Sequence, residues 1–60
     1  MKELDVVILT KEFNGLPAGT IGAIVFEYDG TFYEVEFFTA EGETIDVYTT
    51  PAEVLEIVKC

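Results

Sequence analysis

The sequence contains no histidine, no arginine, no serine and no tryptophan, and it has one cysteine and three lysines. Each shortage removes a class of chemistry. With no histidine, and its one cysteine at position 60, the chain lacks the usual ligands of zinc and most transition metals. Without serine or histidine, no Ser–His or Cys–His nucleophile pair can be assembled. Lys2, Lys11 and Lys59 are scattered and form no patch that could neutralise phosphates. Against them stand twelve Asp and Glu, giving a formal charge of −9. That excess repels DNA, RNA and an anionic membrane surface. The longest apolar runs are four residues, 6–9 and 23–26, too short to span a bilayer. One thiol cannot close an intrachain disulfide, which suits a reducing cytoplasm, and Cys60 reads as an incidental exposed thiol. Met1-Lys2-Glu3-Leu4-Asp5 carries two acids and no small-residue cleavage site, so no signal peptide is expected.

What remains is a small globular composition. Half of the 60 residues are apolar, with five Phe and three Tyr among them. A chain of this length makes one domain and buries only about 60% of the surface its unfolded form exposes. It has no volume to spare for an enclosed cofactor or a catalytic cleft, so neither a cofactor nor an enzyme is expected.

Local patterns imply five strands. Residues 4–10 are rich in β-branched side chains and bounded by polar ones, the mark of a first strand. Residues 11–19 hold two Gly, one Pro and one Asn and read as a loop with internal turns. Residues 20–28 and 31–39 read as strands joined by a two-residue type I′ turn at Asp29-Gly30. Ala40-Glu41-Gly42 closes a second hairpin into a fourth strand over 43–49. Thr50-Pro51-Ala52-Glu53 has the form of a capping box, which starts one helical or 3₁₀ turn. Val54-Leu55-Glu56-Ile57-Val58 then resumes as a short fifth strand, with a single helix over 52–59 as the competing reading. The glycine-rich stretch 15–22 has neither the Lys-Ser/Thr ending nor the following helix of a phosphate loop. Asp29-x-Thr31 and Glu41-Gly42-Glu43 lack the twelve-residue calcium-loop pattern, so no metal site is expected.

Register follows from the two turns. A two-residue turn at Asp29-Gly30 pairs Ile24 with Val35, Phe26 with Tyr33 and Gly22 with Phe37 on the core face. Phe37 then covers the bare backbone of Gly22. Val25 opposite Glu34 and Glu27 opposite Phe32 fall on the other face. A three-residue loop at 40–42, with Gly42 left-handed in a bulge, pairs Phe37 with Ile45 and Val35 with Val47. On the outer face Phe38 then meets Thr44, Glu36 meets Asp46 and Glu34 meets Tyr48. Glu36 opposite Asp46 is a like-charge pair and mildly destabilising.

Strand, long Gly/Pro loop, three hairpin-joined strands, a 3₁₀-like turn and a last strand is the element order of an SH3-like barrel. The chain resembles one family of such barrels, short bacterial proteins common in cyanobacteria whose domain has no known function. The resemblance rests on residues 5–10, 15–25, 33–37, 42–44 and 51–55. Residues 19–25 are also similar to the Gly-rich entry of KOW-type barrels, whose RNA binding uses basic loops absent here. The family implies no catalytic residue. It resembles small partner genes found beside toxins, which implies an antitoxin-like role.

These readings converge on an all-β, five-stranded SH3-like barrel spanning residues 1–60, cytoplasmic and non-enzymatic. Its expected interaction face is Phe32, Glu34, Glu36, Phe38, Asp46 and Tyr48, three acids among three aromatics. Such a face suits a basic protein partner, a toxin or nuclease among the candidates. The alternative is an accessory subunit docking on a larger complex through the apolar outer residues Val6, Ile8 and Val25. A small-ligand or divalent-ion site is a third, lesser class. A homo-oligomer paired through strand one or strand five is also open.

Overall fold

A computed structural model describes residues 4–58. The expectations for Cys60, and for the absence of a leader at the N-terminus, fall outside the described residues. Five strands form, β1 (Val6–Leu9), β2 (Ile21–Glu27), β3 (Phe32–Phe38), β4 (Thr44–Pro51) and β5 (Leu55–Ile57), with one 3₁₀ turn (Ala52–Val54) before the last. All neighbours are antiparallel and the order across the sheet is β4-β3-β2-β1-β5. The all-β, five-stranded expectation holds, including the single 3₁₀ turn. A helix over 52–59 does not form, because Leu55–Ile57 pairs with β1 instead.

The connection between β4 and β5 forces the sheet to curl. In a flat sheet of this order the two edge strands would stand four spacings, about 19 Å, apart. The four Cα steps from Pro51 to Leu55 reach at most about 15 Å even when extended. Part of that stretch is a 3₁₀ turn, which shortens it further. The sheet therefore wraps into a barrel-like form. Val7, Leu9, Leu16, Ile24, Tyr33, Val35, Phe37, Val54 and Leu55 fill its interior. The edges are β4 and β5. The first strand lies between β2 and β5, so the expectation that it offers a free edge is corrected.

The long loop supplies Leu16 to the core through a turn of its own. Phe13 and Leu16 exchange both backbone hydrogen bonds, at 2.9 and 2.8 Å. Asn14 and Gly15 between them have φ of 51° and 81°. Positive φ at both central residues is what a type I′ turn requires.

That geometry was expected at Asp29-Gly30 and does not occur there. Asp29 is not among the residues with positive φ. Its Oδ1 accepts from the Thr31 N–H at 2.9 Å and from the Phe32 N–H at 3.4 Å, and the Tyr28 N–H donates to the Phe32 carbonyl at 3.2 Å. The carboxylate thus holds open a three-residue loop, 29–31. The extra residue shifts pairing by one, and Val25 takes up the shift as a bulge between Ile24 and Phe26. Below the bulge the expected pairs of Ile24 with Val35 and Gly22 with Phe37 stand, and Ala23 faces Glu36. Above it Phe26 faces Glu34 and Glu27 faces Tyr33. The Phe26–Tyr33, Val25–Glu34 and Glu27–Phe32 pairs are corrected accordingly.

The second loop closes as expected, over 40–42. The Thr39 N–H donates to the Glu43 carbonyl at 2.8 Å, the Gly42 N–H donates to the Thr39 carbonyl at 2.9 Å, and Gly42 has φ of 91°. Phe38 pairs with Thr44, and then Ile45 bulges. Phe37 faces Asp46, Val35 faces Tyr48, Glu36 faces Val47 and Glu34 faces Thr49. The expected Phe37–Ile45, Val35–Val47, Glu36–Asp46 and Glu34–Tyr48 pairs do not form. The shift covers the core better. It lays the Tyr48 ring against Phe37, centroids 6.2 Å apart, and buries Thr50 opposite Tyr33. Thr50 is consequently no helix cap. Its hydroxyl donates to the Tyr48 carbonyl at 3.0 Å, and Pro51 occupies the cap position without a side-chain bond.

Candidate functional site

The outer face of β3 carries Phe32, Glu34, Glu36 and Phe38, because side chains alternate along a strand and Tyr33, Val35 and Phe37 point into the core. Those four expected residues do share a face. Asp46 and Tyr48 do not join them. The Ile45 bulge turns both to the inner side of β4, where Tyr48 packs on the core and Asp46 sits at its exposed rim. Their outer-face places go to Val47 and Thr49.

The Val25 bulge makes the matching exchange on β2. Phe26 crosses from the core face to the outer face, and Tyr28 follows two residues on. Both are more than half exposed, at 54% and 53%. Their rings meet edge to face, centroids 5.0 Å apart and planes at 73°. Three cross-strand rows result: Phe26, Glu34 and Thr49; Ala23, Glu36 and Val47; Ile21, Phe38 and Thr44. Phe26 and Tyr28 are the members that the residue pattern does not reveal. Their side of the sheet depends on a bulge set by the Asp29 carboxylate three residues beyond Phe26.

Both outer carboxylates are fixed in place. Glu34 accepts the Tyr28 hydroxyl at Oε2 and the Thr49 hydroxyl at Oε1, each at 2.8 Å. Glu36 Oε2 accepts the Thr44 hydroxyl at 2.7 Å. The Tyr28 phenol is raised above its ordinary pKa, first because its hydroxyl donates to Glu34, then by desolvation and by the negative charge of that carboxylate. The Thr49 hydroxyl opposes this weakly. Each Glu34 oxygen accepts one of these hydrogen bonds and has the capacity to accept another. A carboxylate locked in this way, beside two exposed rings, presents a planar acceptor pair to an incoming cation.

No group of three or more Cys, Asp or Glu side chains among the described residues is placed to hold a metal ion. No helix among them is long and apolar enough to cross a membrane. The apolar trio considered as an alternative is less uniform than expected. Val6 is exposed, whereas Ile8 and Val25 are half-buried.

Comparison with known families decides the affiliation. The family described as Domain of unknown function (DUF4926) matches residues 3–57. The chain belongs to this family. The match covers every strand of the DUF4926 domain and the whole outer face just described. Neither the curated proteins nor the solved structures contain a match to it.

Proposed function

We propose that this DUF4926 chain is a non-enzymatic interaction module whose outer β3 face docks on a basic protein. The observation that carries the reading is Glu34, held by two hydroxyls beside the Phe26–Tyr28 pair. A guanidinium fork pairs with a carboxylate bidentately and stacks on aromatic rings, so arginine is the favoured anchor. A preorganised anchor point ringed by exposed aromatics is the usual make-up of an interface hot spot. Phe32, Glu36 and Val47 extend the face around it, and the chain's charge of −9 steers a cationic partner towards it.

The broader setting rests on the resemblance and the composition. We read the barrel-like sheet as SH3-like and the protein as bacterial and cytoplasmic. The partner class is a basic toxin or nuclease that the module neutralises. An accessory-subunit role is the second reading. The exposed Val6, opposite Ala23, and the exposed Ile21, opposite Ile8, favour it. Salt separates the two, since docking through Glu34 and Glu36 weakens as ionic strength rises and apolar docking does not.

The test is an NMR titration with a short arginine-containing peptide and its citrulline analogue. The expected result is saturable shifts at Phe26, Tyr28 and Glu34 with the arginine peptide, suppressed by salt and absent with citrulline. Unchanged binding in the E34K/E36K double variant at low salt overturns the reading.

A further inference from the structure

Taking Glu34 as the arginine anchor, the reading on which this rests, we infer that the basic partner also carries a large apolar side chain. It stands four residues from the arginine along an extended segment and enters a hollow at the far end of β3. The hollow lies between the long loop and the second hairpin, is open to solvent and has a volume of about 420 Å³. Pro17, Ala18, Ile21, Phe38, Ala40 and Ile45 line it, and no charged side chain among the described residues joins them. Ile21 and Ile45 are each 40% exposed, so apolar surface remains there for a partner to cover. The backbone builds the hollow in advance. The Gly19 N–H donates to the Leu9 carbonyl at 2.8 Å, and the Thr20 N–H and hydroxyl both donate to the Pro17 carbonyl, at 3.2 and 2.7 Å. Those bonds pin the end of the long loop to β1. The Thr39–Glu43 and Gly42–Thr39 bonds close the facing hairpin. The bulge leaves Ile45 at the hollow while it turns Asp46 and Tyr48 inward. A preformed apolar site of this kind costs a ligand little ordering.

Position and charge select the occupant. Glu34 and Phe38 share the outer face of β3 four residues apart, which is about 13 Å along the strand. An extended segment laid along β3 presents residues i and i+4 on one side at the same interval. An α-helix laid there advances about nine residues over that distance, which turns the second side chain to the opposite side. A second copy of the chain would bring −9 against −9, whereas a cationic segment is drawn to the Glu34 face and delivers its apolar residue to the hollow.

The test is an NMR titration at low salt with short glycine-rich peptides. They carry arginine alone, leucine alone, leucine four residues before or after the arginine, or leucine three residues before or after it. In one of the two orders the four-residue spacing is expected to bind about tenfold more tightly than arginine alone, the effect of one largely buried leucine. It is also expected to shift Ile21, Phe38 and Ile45, which arginine alone leaves in place. The three-residue spacing turns the leucine to the other side and is expected to stay within about twofold of arginine alone. Ile21→Thr/Ile45→Thr keeps β-branched side chains and is expected to cancel the leucine's gain while leaving the affinity for the arginine peptide unchanged. The inference is overturned, with the anchor left standing, by no gain in either order, by an equal gain at three residues, or by a gain that survives Ile21→Thr/Ile45→Thr. Absence of the Ile21, Phe38 and Ile45 shifts in the parent chain overturns it as well, and that readout does not depend on any variant folding. An arginine peptide that fails to shift Glu34, or a leucine-only peptide that binds as tightly as the pair, overturns the anchor and the inference together.

Discussion

Replacing Gly22 by alanine tests the tightest point of the barrel. A Cβ built on Gly22 would lie 2.6 Å from Val35 Cγ1, 3.0 Å from the Glu36 carbonyl oxygen and 3.0 Å from Phe37 Cδ1. Side-chain movement cannot relieve this cheaply, because Val35 and Phe37 are fully buried and the Glu36 oxygen belongs to the backbone of β3. Forcing one extra carbon into such a site costs about 1–3 kcal/mol. Alanine's stiffer unfolded chain returns about 0.4–1 kcal/mol of that. The net expectation is a loss of about 1–2 kcal/mol, from a domain of this size that holds about 3–9 kcal/mol in all. In a thermal melt followed by circular dichroism this lowers Tm by roughly 4–15 °C. The Val35→Ala background removes the closest contact, so the Gly22→Ala penalty is expected to shrink there, by about 0.5 kcal/mol or more in a double-mutant cycle. A Gly22→Ala protein as stable as the parent refutes the packing argument. A penalty unchanged by Val35→Ala refutes the role given to that methyl group.

Three further outcomes follow from the geometry. In a spectrophotometric titration Tyr28 is expected to ionise above the ordinary phenol range, and Tyr28→Phe or Glu34→Gln is expected to remove that late step. Its folded-state pKa is raised, so the neutral phenol's contribution to stability is present below the unfolded value of about 10 and is lost as pH rises through the higher folded value. Asp29→Ala strips the acceptor from two backbone N–H groups in the first hairpin and is expected to cost about 1 kcal/mol in a urea melt, with Asp29→Asn largely sparing it. Glu36 and Asp46 lie on opposite faces, so a Glu36→Gln/Asp46→Asn cycle in urea is expected to show coupling near zero, whereas the register with those acids opposed predicts relief of repulsion.

Much of the architecture is legible in the residues because turn chemistry is local. Gly42 marks its hairpin and β-branched runs mark the strands, whereas Gly22 falls opposite Phe37 as counted because the Val25 bulge cancels the residue that the first loop adds. The errors in the candidate site come from single-residue register shifts. Asp29 offers its carboxylate to two backbone donors and enlarges the loop, which a dipeptide signal for a tight turn does not register. On β4 the alternation of Ile45 and Val47 against Asp46 and Tyr48 suggests the wrong inner face. The outcome there is decided by what covers Phe37, a tertiary matter that the strand's own sequence does not contain. Because the side-chain period of a strand is two, each shift moves whole residues across the sheet. Asp46 and Tyr48 leave the expected site, and Phe26 and Tyr28 enter it. The β3 row of Phe32, Glu34, Glu36 and Phe38 keeps its side because it does not depend on either loop.

The central claim is that Glu34, oriented by Tyr28 and Thr49 beside Phe26, is the anchor for a guanidinium on a basic partner. Its most direct test is the affinity of an arginine-containing peptide for the parent chain, Glu34→Gln and Glu36→Gln at low salt, measured by NMR titration. The account predicts that Glu34→Gln weakens binding about tenfold, the loss of one charge-assisted bidentate contact, and that Glu36→Gln changes it by about threefold or less. Equal losses in the two variants would mean that bulk negative charge, not the fixed carboxylate, binds the peptide, and would contradict the account.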